Sequence, residues 1–114
     1  MARWIACGET FIIGDVVRWT EPLWTERGRR KKKLVKIGSR RVTAEVKKED
    51  RAHFVFLTVL KCEILDNLTV RALEPLPTGL LIRRKRFTIG RGSGERLKWS
   101  EEGARALAAS KFLR

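Results

Sequence analysis

From Arg41 to Lys47, RVTAEVK, the chain alternates strictly. Val42, Ala44 and Val46 fall on one side, and Arg41, Thr43, Glu45 and Lys47 on the other. Alternation with β-branched residues on the apolar side predicts an antiparallel strand with one buried and one wet face. Other segments follow the same logic. In FIIGDVVRW, Gly14-Asp15 marks a turn, and Val16, Val17 and Trp19 open a strand after it. His53 to Leu65, HFVFLTVLKCEIL, starts apolar on both faces and alternates later, as a long central strand does. Asp66-Asn67 supplies turn chemistry, and LTVRAL returns as a partner strand. Pro75 and Pro77 end that strand in a rigid connector, and Leu80 to Ile89, LLIRRKRFTI, reads as the fifth strand.

Beyond Ile89 the character changes. Residues 90–99 open with GRGSGE and read as a glycine-rich linker, and residues 100–112 as a helix. Ser100 is the expected N-cap, with Glu101 and Glu102 in the first turn and Lys111 and Arg114 at the far end. That charge order complements the helix dipole. Ala104, Leu107, Ala108 and Phe112 form an apolar stripe expected to dock on the strands, and Gly103 costs the helix about 1 kcal/mol relative to Ala. No internal repeat is visible. Residues 1–114 suit one domain, mainly β, with a C-terminal α-helix.

Charge is the unusual part of the composition. Against 13 acidic residues stand 26 basic ones, a formal charge of +13 and a pI near 10.9, while 43% hydrophobic content is ordinary for a folded chain. Such an excess favours polyanionic partners. No stretch approaches the ~20 apolar residues that span a bilayer, and MARWIACGETFII is a poor signal peptide. Without an export signal, Cys7 and Cys62 read as free buried thiols, and a cytoplasmic location is expected. With His53 as the only histidine, the two cysteines do not complete a four-ligand zinc site of Cys and His, so neither a metal nor another cofactor is expected.

Five strands in this order, with a long loop after the first and a short hairpin between the third and fourth, describe a small, partly open barrel. The run IIGDVVRW resembles the hydrophobic–Gly–Asp–x–Val opening of SH3-like barrels, including the KOW-type and translation-protein barrels. The resemblance covers about residues 9–90. It implies that residues 25–40 take the place of the long first loop, and that EPLPTG takes the place of the short turn before the last strand.

Thr25 to Arg41, TERGRRKKKLVKIGSRR, carries nine basic residues and one acidic residue among seventeen. Trp19 and Trp24 precede it; Trp19 alternates with Val17 and is expected inside, Trp24 outside. Cations beside an exposed indole are the ingredients of a single-strand site, with stacking worth ~1–3 kcal/mol per base. The candidate phosphate contacts are Arg29, Arg30, Lys31, Lys32, Lys33, Lys36, Arg40 and Arg41, joined by Arg83, Arg84, Lys85 and Arg86 and by Arg91 in the glycine-rich stretch, with Trp24 stacking on a base or ribose. Strand alternation sends Arg83 and Lys85 to one face and Arg84 and Arg86 to the other, so this segment is expected at a sheet edge or twisted out beyond the barrel's end, exposed in either case. GRGSGE lacks the spacing of a dinucleotide or P-loop motif. His53 in KKEDRAH reads as a turn residue, and no nucleophile, base and orienting carboxylate converge in the sequence, so no catalysis is expected. No helix-turn-helix, zinc finger or RNP-like aromatic pair on a strand is read from the sequence, so little sequence specificity is expected. The expected partner is nucleic acid, DNA or RNA. The alternative is a module that docks an acidic protein, and a membrane is not expected as a partner.

Overall fold

A computed structural model describes residues 3–112. In chain order the elements are β1 (Trp4–Ala6), β2 (Val16–Arg27), β3 (Lys33–Glu49), β4 (Phe54–Asn67), β5 (Leu81–Lys85), α1 (Arg86–Arg91), β6 (Glu95–Leu97) and α2 (Glu102–Phe112). All strand pairs are antiparallel, in the order β1-β6-β2-β3-β4-β5, so the sheet is open with β1 and β5 at its edges. The protein is therefore mainly β with a C-terminal helix, and the described residues form six strands rather than the expected five.

Alternation decides what is buried. Val17 and Trp19 of β2, Val42, Ala44 and Val46 of β3, Val55, Leu57 and Val59 of β4 and Ile82 of β5 line one face, and Phe11 and Ile89 close over them. The sheet curls around this face. Flat, β2 and β5 would lie roughly 14 Å apart across the two intervening strands, yet Arg84 of β5 reaches Glu21 of β2 at 2.9 Å.

Several segments depart from the sequence-based expectation, each for a physical reason. Residues 25–40, expected as a loop, are mostly strand: β2 and β3 stay paired out to Arg27↔Lys33, leaving only residues 28–32 for the turn. The β-formers Thr25, Leu34, Val35 and Ile37 support the ribbon, and the densest charges collect in the turn, where water surrounds them. Residues 68–73 form no strand. The Asn67 carboxamide accepts from the Thr69 N–H at 2.9 Å and donates to the Arg71 carbonyl at 2.8 Å, coiling the backbone before it can pair. The fifth strand of the expectation stops at Lys85. Arg86 turns into α1, where its guanidinium donates to the Glu9 and Phe11 carbonyls and Ile89 enters the core.

The expected glycine-rich linker holds the end of α1 and the whole of β6. Thr20 donates its N–H to the Gly92 carbonyl at 2.9 Å, and a Cβ on Gly92 would collide with the Thr20 backbone. That glycine is there so that two backbones can touch.

α2 does not dock by an apolar stripe, since Leu107 is 68% exposed. Polar anchors hold it instead. Arg105 donates to both oxygens of the fully buried Asp15, at 3.0 and 2.7 Å, and the Trp99 indole donates to the same carboxylate at 2.8 Å. Glu102 accepts from the Trp99 N–H and pairs with Arg96, closing the helix start in place of Ser100. Lys111, Phe112 and Arg114, expected to complete the helix's charge order and apolar stripe, lie outside the described side chains.

Candidate nucleic-acid interface

β4 pairs with β3 only as far as Gly38, and β6 reaches β2 only at Val17 and Arg18. From Trp24 to Lys36, β2 and β3 are therefore paired with no strand but each other, a two-stranded arm. Its rungs are Trp24↔Lys36, Thr25↔Val35, Glu26↔Leu34 and Arg27↔Lys33. Gly28 starts the turn at φ 119°, and a Cβ there would strike the Lys31 carbonyl. Every residue from Glu26 to Leu34 is exposed.

Residues 24–36 hold seven cations and one carboxylate. That carboxylate, Glu26, lies 3.7 Å from the Lys32 ammonium with both side chains mostly in solvent, an arrangement that neutralises little. Arg29, Arg30, Lys31, Lys32 and Lys33 thus form one unneutralised group at the tip, with Lys36 a rung behind. Trp24 is 53% exposed and directly opposite Lys36, so an indole and an ammonium share one face of the ribbon. Trp19 is inside at 1% exposure. Residues 68–73 line a hollow together with Thr25, Glu26, Arg27 and Ile37 of the two strands, and Leu68 donates its N–H to the Ile37 carbonyl at 2.8 Å.

The remaining sequence candidates separate into bound and free. Glu21, 7% exposed on the inner face, accepts from Arg40 at 2.9 and 2.7 Å, from Arg84 at 2.9 Å on each oxygen, and from the Trp19 indole at 2.8 Å. Burial alone raises this carboxyl's pKa. The hydrogen bonds from Arg84, Trp19 and Arg40, with the Arg84 charge, outweigh burial and hold it at about 2. Arg86 is similarly occupied by Glu49, at 2.8 and 3.1 Å. Arg40, Arg84 and Arg86 are thus structural cations, and the expectation that Arg83 to Arg86 are exposed together holds only for Arg83 and Lys85. Arg41 is half-buried on the outer face, between Thr20 and Glu63. Arg91 is exposed beside the Phe87 ring, 5.1 Å from its centroid.

One feature was missed in the sequence. Phe54 and Phe56 are two residues apart on β4, and because Val55 and Leu57 face the core, both rings lie on the outer face. The sequence signal for this ring pair is the F-x-F of HFVF. Lys48 lies opposite Phe56 with its ammonium 4.7 Å from the ring centroid, and Arg83 and Lys85 lie 4.3 and 5.4 Å from the Phe54 centroid.

His53 occupies the turn before β4 at φ 64°, its N–H donating to the Asp50 carbonyl. Among the described residues, no three His, Cys, Asp or Glu side chains cluster as metal ligands, and no helix is long and apolar enough to cross a membrane. Compared with models of known families, with curated proteins and with solved structures, the chain finds no match.

Proposed function

We propose that this chain is a non-catalytic nucleic-acid-binding protein that grips the phosphate backbone with its β2–β3 arm and has little sequence preference. The observation that carries the reading is the tip, where five consecutive exposed cations, Arg29 to Lys33, have a single weakly placed carboxylate among them. Charges left unpaired at the end of a projecting ribbon repel one another, and a polyanion relieves that repulsion. A two-stranded ribbon is also of a size that the major groove of a duplex admits.

The body that carries the arm is, in the same reading, an SH3-like, partly open barrel built from β2 to β6. Two features support it. β6 returns to pair with β2, the first strand of the five, and the Arg84–Glu21 bond ties β5 to β2 across the inner face. α1, which follows β5 in the chain, packs against both β5 and β2.

Fluorescence anisotropy with labelled single- and double-stranded DNA and RNA, titrated across salt, tests the function. The companion variant changes Arg29, Arg30, Lys31, Lys32 and Lys33 to Ala. If the arm neutralises roughly six phosphates, affinity falls about three orders of magnitude between 50 and 200 mM salt, and most of it disappears in the variant. Weak binding to all four forms, unchanged by the variant, overturns the reading and turns the search to an acidic protein partner.

A further inference from the structure

Six arginines on the body are held by carboxylates. Arg18 pairs with Glu95, Arg40 and Arg84 with Glu21, Arg86 with Glu49, Arg96 with Glu102 and Arg105 with Asp15. The outer face of β3–β5 breaks this pattern. Lys48, Arg83 and Lys85 are all exposed, none has a carboxylate partner among the described residues, and each lies over a phenylalanine ring. A ring orients a cation without neutralising it. These three charges are therefore positioned and still available to an anion.

The rings have no packing task that explains them. The core lies on the opposite face of β4, and Phe54 and Phe56 stay half-exposed beside β5, the edge strand of the sheet. Lys48, Phe56 and Arg83 make one row across three strands, and Phe54 and Lys85 make the next. A row of cations interleaved with aromatic rings on an open sheet face serves a ligand that has both phosphates and accessible base faces. Unpaired strands offer both, whereas a duplex hides its base faces in the stack.

We infer that the outer face of β3–β5 is a second binding surface, specific for single-stranded nucleic acid and distinct from the arm. Phe54 and Phe56 meet bases, while Lys48, Arg83 and Lys85 hold the backbone between them. The inference extends the nucleic-acid reading and rests on it for the ligand class.

The test compares a labelled oligothymidylate of about 16 nucleotides with a blunt duplex of equal length. It uses the full chain, the arm variant, Phe54→Leu/Phe56→Leu and Lys48→Ala/Arg83→Ala/Lys85→Ala. The ring variant should lose about tenfold or more in single-strand affinity while duplex affinity stays within about twofold. The cation variant should do the same and lower the single-strand salt slope by about 2. Its three side chains are exposed, so it decides the matter even if the ring variant does not fold. Single-strand affinity unchanged in the cation variant, or lost only in the arm variant, overturns the second surface and leaves the arm reading standing. A wild-type chain that binds neither form overturns both.

Discussion

Glu21 sits where the apolar inner face gives way to charge, and its environment makes acid sensitivity a property of the fold. Its carboxylate satisfies two guanidiniums and the Trp19 indole at once, so removing the charge leaves Arg40 and Arg84 facing each other without a counter-ion. Glu21→Gln is expected to destabilise the protein by about 2–4 kcal/mol, somewhat below the cost of breaking a fully buried pair, because both guanidiniums keep some contact with water. The pH dependence follows from the depressed pKa. With a folded value of about 2 against 4.5 in an ordinary glutamate, this group's contribution is present above pH 4.5 and is lost as pH falls from there to about 2. That contribution is roughly 3 kcal/mol. Asp15 adds acid sensitivity of the same sign, because its hydrogen bonds from Arg105, Ile12 and Trp99 outweigh its burial and hold its pKa below the ordinary value. Urea unfolding at pH 7 and pH 3 should therefore show a large acid loss in the wild type and a smaller one in Glu21→Gln. Equal losses in the two proteins would mean that Glu21 is not the group responsible.

The arm is the element whose stability is most separable from the core, since beyond Gly38 it is held by its own rungs and by residues 68–73 alone. Gly28→Ala places a side chain at positive φ against the Lys31 carbonyl, a strain of about 1–2 kcal/mol or more that falls on the turn. Amide hydrogen exchange over residues 24–36 should accelerate while the core strands keep their protection, and nucleic-acid affinity should fall with it. Exchange that rises everywhere would show that arm and core unfold together. Local patterns of this kind were legible in the sequence. The alternation of RVTAEVK placed Val42, Ala44 and Val46 in the core, and the same reasoning placed Trp19 inside and Trp24 outside. It also separated Arg84 from Arg83 and Lys85 along β5, while Arg86 lies beyond the strand in α1. What the sequence hid was partnership over distance. Arg84 is satisfied by a carboxylate 63 residues away and Arg86 by one 37 residues away, so neither is the exposed cation that local reasoning expects. HFVF, apolar on both faces, imitated a strand buried twice, and that concealed the ring pair on its outer side. Residues 68–73 have strand composition, but one carboxamide at Asn67 redirects them.

At the scale of the molecule the two groups of free cations sit near opposite ends of β3, from Lys33 to Lys48, in a body whose longest extent is 54 Å. Their contributions to binding should therefore be separable, since exposed charges interact little beyond a screening length of about 8–10 Å at moderate salt. A duplex gripped by the arm alone should show a slope of log affinity against log salt near −5, from about six neutralised phosphates. Replacing Arg29 to Lys33 with Ala removes up to five of those contacts and should flatten the slope by about 4. Arg40→Met and Arg84→Met provide the opposite comparison. Each removes a full positive charge, so if net charge alone governed binding, each would flatten the slope by about as much per residue as an arm lysine does. Because both guanidiniums are mostly buried and pinned against Glu21, neither reaches a phosphate, and each substitution should lower the unfolding midpoint and leave the slope unchanged. Salt titrations of the three variants alongside their urea unfolding curves separate the cases. A slope that falls equally in all of them would make the protein a diffuse polycation rather than one whose grip resides in the arm.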